Sequence, residues 1–308
     1  MSTLQSVHRG ATPLAANLAL PIIPETDAIL WMTDVLDQAI AERKGIVVVG
    51  AKGSGKTVAL ASAIEEVRKL EQATADEEQR PEQRILEVQS PRAETRRAVI
   101  GAIWQDVFGM QQLQRARNRT KSDDVLLEEL VEQLIQQNVA VLVFDEAECL
   151  SDEGVLVVRD IISRAERLGR DRRYVEGTYR PFGVGVVLVG TDELHAALKA
   201  SGELGQRWVR IVEVGLLEPD QVARVYRDFL PGFRAYAESV GEAAWRDFVR
   251  LRVCMGAPMP IRLIENHVRG YVRRIAAAEP DIASIDDVPF DEQLFFMTLD
   301  EIPRQPGI

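Results

Sequence analysis

The sequence predicts an α/β fold in which helices flank a parallel sheet, with a smaller helical domain after it. Before residue 216, apolar runs typical of buried strands alternate with segments of helical periodicity. From Glu218 onwards the periodicity is helical only. We expect four regions: an N-terminal arm at 1–25, an α/β domain at 26–216, a helical lid domain at 217–278 and an acidic C-terminal tail at 279–308.

The composition is that of a water-soluble globular protein, because 46% of the 308 residues are hydrophobic and 28% are charged. No apolar run reaches the roughly 18 residues that a membrane span needs. The net charge of −11 argues against indiscriminate coating of nucleic acid, which needs clustered cations. The two cysteines form no disulfide or metal framework, and we expect a cytoplasmic protein with no membrane partner.

The elements follow from local periodicity and punctuation. The apolar residues before the first predicted strand have the spacing of a helix, and Thr26 or Asp27 is the expected N-cap of that helix. The first half is predicted as helix 26–42, strand 46–49, helix 58–70, loop 71–82, strand 85–88 and helix 93–108. The second half is predicted as helix 123–137, strand 139–144, helix 152–168, a basic loop 169–181, strand 183–189, strand 211–214, and helices 219–229, 238–252 and 260–278.

A glycine-rich segment follows the first predicted strand with the pattern Gly-x-x-x-x-Gly-Lys-Thr over residues 50–57. A strand, a tight turn and a helix N-terminus surround one anion with backbone N–H groups and the positive end of a helix dipole. Lys56 supplies charge to the β- and γ-phosphates, and the Thr57 hydroxyl can ligate Mg²⁺. The pattern predicts a nucleoside-triphosphate site formed by Gly50, Ala51, Lys52, Gly53, Ser54, Gly55, Lys56 and Thr57.

Two acids follow the predicted strand 139–144. Phosphoanhydride hydrolysis needs Mg²⁺, an activated water and cations that stabilise developing charge. Asp145, at the strand tip, is the predicted second Mg²⁺ ligand, and Glu146 is the predicted general base. Glu148 is a competing base, or a solvated or salt-bridged side chain.

Thr191 follows the strand 183–189 and Gly190. A hydroxyl at this place can lie between the γ-phosphate and the attacking water. It can also cap the helix that begins at Asp192, and the two roles are compatible.

Three segments together resemble an AAA+ ATPase: the glycine-rich segment, Phe144-Asp145-Glu146-Ala147-Glu148, and Val187-Leu188-Val189-Gly190-Thr191-Asp192-Glu193-Leu194. More narrowly, they resemble the transposition ATPases of the TniB/TnsC group, which are related to the phage Mu target-selection ATPase MuB. The resemblance runs over roughly residues 28–275. It implies an AAA+ P-loop NTPase fold, ATP and Mg²⁺ as cofactors, and assembly into ATP-dependent helical oligomers on DNA.

The resemblance also assigns roles to individual positions. An arginine finger that reaches the nucleotide of a neighbouring subunit corresponds to Arg207, and Arg210 is the alternative. An arginine here could instead form only a surface salt bridge. A lid-domain arginine corresponds to Arg262, although its spacing departs from the usual Gly-x-x-Arg. The candidate catalytic residues are therefore Lys56, Glu146, Thr191, Arg207 and Arg262.

A basic segment lies where the resemblance implies the DNA-contacting segment, between the second strand and Asp145. It holds four cations in seven residues without an acid, which suits contact with phosphates, although a solvated basic face is the alternative. No base-reading motif is visible, so we expect sequence-independent binding of double-stranded DNA. The candidate DNA contacts are Arg115, Arg117, Arg119, Thr120 and Lys121, with Arg172 and Arg173 as a second strip.

The implied function is regulation of DNA transposition by a nucleoid-associated protein. ATP drives oligomerisation on target DNA, the oligomer selects the target and recruits the transposase, and hydrolysis drives disassembly. Other copies of the chain, the transposase and a target-selection protein are the expected partners, and the acidic tail either docks a basic transposase surface or only aids solubility.

Other functions fit the same ATP-binding motifs. One is an initiator-like loader, although we expect the acidic stretch of 30 residues after Ala278 to leave no room for an appended helix-turn-helix domain. A secretion-associated ATPase and a monomeric P-loop phosphotransferase are the others. The phosphotransferase would need no arginine from a neighbouring subunit.

Overall fold

The structure is a computed structural model, and it describes residues 27–111, 122–176, 183–200, 208–279, 282, 284 and 287–301. The predicted N-terminal arm lies outside these residues. The chain divides into an α/β unit, Asp27–Gly215, and a helical unit that begins at Leu216. Within the described part of the chain, no helix is long and apolar enough to cross a bilayer.

The α/β unit is built on a five-stranded parallel sheet in its described residues, with the strand order β2-β3-β4-β1-β5. Every residue of β1 and β4 is buried, because their sequences are apolar on both faces, as central strands of a covered parallel sheet require. This sheet confirms the predicted fold class. The strands are β1 Gly45–Gly50, β2 Arg84–Gln89, β3 Val139–Asp145, β4 Gly185–Gly190 and β5 Trp208–Val214.

Helices cover both faces of this sheet. They are α1 Asp27–Glu42, α2 Lys56–Glu78, α3 Arg96–Phe108, α4 Asp123–Gln136, α5 Asp152–Glu176 and α6 Asp192–Ala200. Ile100, Leu130 and Ile161 bring α3, α4 and α5 onto one face, whereas Leu36 and Ile64 bring α1 and α2 onto the other. Because both faces are covered, a ligand site is expected at the carboxyl ends of the strands.

The predicted loop at 71–82 is wrong over most of its length, because α2 continues to Glu78. The side chain of Glu71 accepts hydrogen bonds from the guanidinium of Arg80, 2.9 Å for one pair of atoms. Gln79 ends the helix with a left-handed backbone at φ 52°. The polar, acidic composition that favoured a loop therefore belongs to the solvent side of a helix.

Helix α5 also extends beyond its predicted end, to Glu176, into the predicted loop at 169–181. Burial of the earlier turns against the sheet stabilises the helix, and adding further residues to an existing helix costs little. Arg172 and Arg173 therefore lie on α5, and their side chains are outside the described residues.

An ion-pair network joins α3, α4 and α5. The guanidinium of Arg96 lies 2.7 Å from Asp160, and that of Arg164 lies 2.8 Å from Glu128. The side chain of Ser122 caps α4 by accepting from Val125 N–H. These contacts hold both helices that flank residues 112–121 against α5.

The helical unit forms its own core in its described residues. Its helices are α7 Pro219–Phe229, α8 Pro231–Val240, α9 Glu242–Phe248, a π-helical turn Val249–Val253, α10 Ile261–Ala278 and α11 Glu292–Glu301. The core is rich in aromatic side chains, including the fully buried Tyr226, Phe233 and Trp245. A single helix predicted at 238–252 is interrupted, because Gly241 has a φ of 89°.

The predicted acidic tail is corrected for the residues that form α11. Phe295 of this helix is fully buried, and Thr298 and Leu299 are nearly so. Phe295 packs edge-on against Phe233 and Tyr226, with ring centroids 5.6 Å and 5.5 Å apart. Acidic side chains cover the exposed side of α11, so the composition suggested a tail although the helix completes the core.

Candidate nucleotide site

The glycine-rich segment forms a turn between the carboxyl end of β1 and the start of α2. Gly53 and Gly55 have φ values of 85° and 93°, which L-residues with side chains rarely adopt. Gly55 is also the N-cap of α2, and no side chain caps the helix there. The unpaired N–H groups of the first turn therefore remain free for an anion.

Gly50 brings the start of this turn against the edge strand β5. A Cβ atom at Gly50 would lie 2.2 Å from the carbonyl oxygen of Val214 and 3.3 Å from the Ser54 hydroxyl. Glycine is required at residue 50 because the neighbouring backbone leaves no space. The position of the turn is therefore fixed by packing between β1 and β5.

Lys56 turns its side chain back into the loop. Its Nζ donates to the carbonyl oxygens of Gly50 and Ala51 at 2.7 and 2.9 Å, and lies 3.3 Å from Ser54 Oγ. All three acceptors are uncharged. Burial lowers the pKa of Lys56, and the nearby acids Glu148, Asp145 and Asp192 oppose this shift. The ammonium is thus desolvated without a carboxylate in contact, which favours binding of an anion.

The two predicted Mg²⁺ ligands lie at the start of α2 and at the end of β3. Thr57 is exposed in the first turn of α2, and Asp145 is the last residue of β3. Asp145 Oδ1 accepts from the N–H of Glu146 at 2.8 Å, and no hydrogen bond within the described residues occupies its Oδ2. One hydroxyl and one carboxylate fit Mg²⁺, which keeps waters and takes phosphate oxygens as further ligands. In the described residues, no group of three or more His, Cys, Asp or Glu side chains forms a separate metal site.

Glu146 stands at a sharp turn directly after β3. Its φ of 50° is unusual for a residue with a side chain, and residues in such conformations concentrate at functional sites. A 3₁₀ turn, Ala147–Cys149, follows and buries Ala147 in the core. This conformation leaves the Glu146 side chain exposed beside Asp145.

Thr191 follows β4 and precedes α6. Its backbone N–H donates to Glu148 Oε2 at 3.3 Å, and its carbonyl accepts from the N–H of Leu194 at 3.0 Å. Its hydroxyl oxygen is buried and has no hydrogen-bond partner among the described residues. The predicted capping role is therefore taken by the backbone, and the hydroxyl is left for another group.

A cavity of about 850 Å³ lies beside Asp145 and Glu146 on the side of β2. Ser90 donates to the carbonyl oxygen of Asp145 at 2.6 Å, and Asp106 accepts from the N–H of Gln89 at 2.7 Å. These residues were not predicted from the sequence. The signal that could have found them is position, because Gln89 ends β2, Ser90 follows it, and polar groups at the ends of adjacent parallel strands meet.

Of the candidate arginines, only some lie in the part of the chain that the structure describes. Arg207 lies outside the described residues, as do Arg115, Arg117, Arg119, Thr120 and Lys121. Arg210 is exposed on β5 and donates to Gln38 Oε1 at 3.0 Å. It lies beside Ile46, four residues before Val214, which is about 13 Å from the carboxyl end of the sheet. Arg262 is exposed in the first turn of α10 in the helical unit.

The strand order, the glycine turn and the acids at the end of β3 define an AAA+ P-loop fold. A family model for the AAA domain matches residues 40–198, just over half of the chain, and the chain belongs to this family. A comparison with curated protein sequences found no match.

Solved structures of ORC and Cdc6 proteins have a similar fold. The Aeropyrum pernix ORC2 protein, in ADPNP-ADP complexes, is 14% identical with a TM-score of 0.60, over 91% of this chain and 69% of that one. Drosophila ORC bound to DNA is 15% identical with a TM-score of 0.53, over 97% of this chain and 69% of that one. Cdc6p from Pyrobaculum aerophilum is 20% identical with a TM-score of 0.50, over 88% and 67%. At these identities the similarity establishes the fold.

Proposed function

We infer that this chain is a DNA-binding ATPase that assembles on DNA and regulates DNA transposition. The observation that carries the ATPase is Lys56, a desolvated cation held by three uncharged acceptors at the uncapped N-terminus of α2. A lysine with a purely structural role is expected to contact a carboxylate at this depth. An anion with several oxygens, such as the phosphates of ATP, satisfies both the ammonium and the free N–H groups.

The residues around this turn have separate tasks in hydrolysis. The N–H groups of residues 53–57 and the Lys56 ammonium bind and orient the phosphates. Thr57 and Asp145 would hold Mg²⁺, which would supply charge that offsets the negative charge of the phosphates. Glu146 accepts the proton of the attacking water, and the buried Thr191 hydroxyl donates to a phosphate oxygen or the water.

The ATP site is tested by binding of a fluorescent ATP analogue and by release of inorganic phosphate. Lys56→Ala should weaken binding at least about tenfold, because a charge-assisted contact to phosphate is lost. Lys69→Ala is the control, since Lys69 is an exposed lysine on the same helix that pairs with Glu65. Glu146→Gln should keep binding and lower kcat at least about 100-fold. Equal ATP affinity in the two lysine variants would rule out this site.

DNA binding is proposed for the basic segment at 115–121. The ion pairs of α3, α4 and α5 support this proposal, because they hold the helices before and after the segment on a rigid base. Cations repeated once per subunit along an oligomer can outweigh a net charge of −11. The similarity to a DNA-bound origin recognition complex concerns the fold and agrees with this proposal.

The DNA proposal is tested by the salt dependence of binding to duplexes of unrelated sequence. Replacing Arg117, Arg119 and Lys121 by alanine should weaken binding to every duplex and lower the slope of log K against log salt by about two to three. The matched control replaces Arg234, Arg246 and Arg250, three exposed arginines of the helical unit. An unchanged slope in the first variant would remove this segment from the interface.

A neighbouring subunit is proposed to complete the nucleotide site through Arg207. The alternative, Arg210, is occupied by Gln38 of its own chain, which favours Arg207. Arg207→Ala should lower ATP turnover on DNA, whereas Arg210→Ala should have a smaller effect. Mixing Arg207→Ala with Lys56→Ala should restore part of the activity, because one interface then combines an intact phosphate loop with an intact arginine. No recovery on mixing would argue for a site within one subunit.

An initiator-like loader is the second candidate, favoured by the similarity of the fold to origin-recognition proteins. The two functions differ in what the ATP-bound protein does on DNA. Continuous ATP-dependent filaments, seen by electron microscopy, that capture a purified transposase would support transposition. Discrete complexes that instead load a ring-shaped helicase onto DNA would support the loader.

A further inference from the structure

Glu148 is the third acid at the carboxyl end of β3, after Asp145 and Glu146, and the proposed function gives it no task. The 3₁₀ turn that carries it is closed by the hydrogen bond from Cys149 N–H to the carbonyl oxygen of Glu146, 2.9 Å. Ala147 anchors the turn in the core. Glu148 is therefore presented from a rigid base, three residues beyond the predicted Mg²⁺ ligand.

The carboxylate of Glu148 reaches the end of the adjacent strand β4. Its Oε2 accepts the backbone N–H of Thr191 at 3.3 Å. A Cβ atom at Gly190 would lie 2.7 Å from the same oxygen, so the lack of a side chain there allows the carboxylate to approach. Gly190 is not among the described residues that have a positive φ. The lack of space for a side chain, and not the backbone conformation, therefore explains why glycine occurs here.

Thr191 is consequently held by both of its backbone polar groups. Its N–H donates to the Glu148 carboxylate, and its carbonyl oxygen accepts from the N–H of Leu194. The hydroxyl is the polar group that remains, and it is buried with no partner in the part of the chain that the structure describes. A buried, unpaired hydroxyl is unfavourable, so a fixed hydroxyl in this place gains most when a bound group pairs with it.

We propose that Glu148 is a positioning residue, which fixes Thr191 through its backbone N–H so that the Thr191 hydroxyl is directed at a ligand of the phosphate loop. Val49 pairs with Gly190 in the register of β1 and β4, so Thr191 follows β4 beside the point where Gly50 begins the phosphate loop. In this role the carboxylate acts as a hydrogen-bond acceptor and takes no proton from water. This inference rests on the proposed ATPase function and adds a residue to it.

The test compares two substitutions at one position. Glu148→Gln retains an oxygen that can accept from Thr191 N–H, whereas Glu148→Ala removes it. For ATP turnover on DNA, Glu148→Ala should lower kcat at least about tenfold with little change in KM, and Glu148→Gln should lower kcat less than about threefold. If Glu148 were instead the general base, both variants would lose activity alike, as expected for Glu146→Gln.

A double substitution separates positioning from an independent catalytic role. If Glu148 acts through Thr191, then Glu148→Ala combined with Thr191→Ala should be no slower than Thr191→Ala alone. If the two losses multiply, the residues act independently and the inference fails.

Hydrogen exchange tests the contact without any ATPase activity. In the nucleotide-free protein, amides around residues 190–194 should exchange about tenfold faster in Glu148→Ala than in Glu148→Gln. Equal exchange in both variants would overturn the positioning role. Absence of ATP turnover in the unsubstituted protein, with this exchange difference intact, would instead contradict the proposed ATPase.

Discussion

His267, in the helical unit, makes the stability of that unit depend on pH. Its ring is fully buried, with Nε2 2.8 Å from the carbonyl oxygen of Phe295 and Nδ1 2.8 Å from the Tyr226 hydroxyl. Because a carbonyl oxygen only accepts, Nε2 carries the proton and Nδ1 accepts from Tyr226. The folded state thus contains the neutral imidazole of His267, whose hydrogen bond to Phe295 connects α10 to α11.

Burial lowers the pKa of His267 to about 4, from an ordinary value of 6.5. Well above pH 6.5 the ring is neutral in both the folded and the unfolded chain, so its protonation does not change the free energy of unfolding. Between pH 6.5 and pH 4 the unfolded chain binds a proton that the folded chain does not, so stability falls as the pH falls. The difference of about 2.5 units between the two pKa values corresponds to at most about 3.4 kcal/mol of unfolding free energy. About 2 kcal/mol of this is lost by pH 5.

The assay is urea unfolding at pH 7 and pH 5, followed by hydrogen exchange in peptides from α10 and α11. His267→Gln is the control, because its amide can donate to Phe295 and accept from Tyr226 but does not titrate in this range. The unsubstituted protein should lose about 2 kcal/mol more than the variant between the two pH values. Equal losses would refute the reasoning, since every other titrating group is common to both proteins.

Two further predictions concern packing. Gly50→Ala should destabilise the α/β unit by about 1–3 kcal/mol and weaken ATP binding, because its Cβ would overlap the Val214 carbonyl, whereas Gly215→Ala, with open space around its Cβ, should stay within about 0.5 kcal/mol. Phe295→Ala should destabilise the helical unit by about 3–5 kcal/mol, and Met297→Ala, on the exposed side of α11, by far less. Urea unfolding checks both, and equal losses within either pair would contradict the packing argument.

Local sequence was sufficient for the parallel sheet and for the position of the phosphate loop. The strands β1, β3 and β4 are short apolar runs buried on both faces, and such runs are legible without knowledge of their neighbours. The glycines of the loop follow from backbone geometry, since Gly53 and Gly55 adopt conformations that other residues avoid. These features can be predicted from short stretches of sequence, although the strands pair with partners that are distant along the chain.

Composition was a poor guide where the decisive contacts are distant. Acidic residues suggested a loop at 71–82 and a tail from residue 279. Instead, α2 continues to Glu78 beyond turns whose apolar side is buried, and α11 buries its apolar side in the core of the helical unit. In α11 a few residues carry that burial, Phe295 above all. The periodicity of so short a segment is weak beside its charge.

The sequence by itself determined the chemical inventory: a phosphate loop with Lys56, acids after β3 and a threonine after β4. Tertiary structure decided how these groups are used. In the sequence, Glu148 was one of three acids within four residues at the end of β3, and only the adjacency of β3 and β4 brings its carboxylate to Thr191. Strand order is set by the packing of the whole unit, so contacts between strand ends exist only once the sheet has formed.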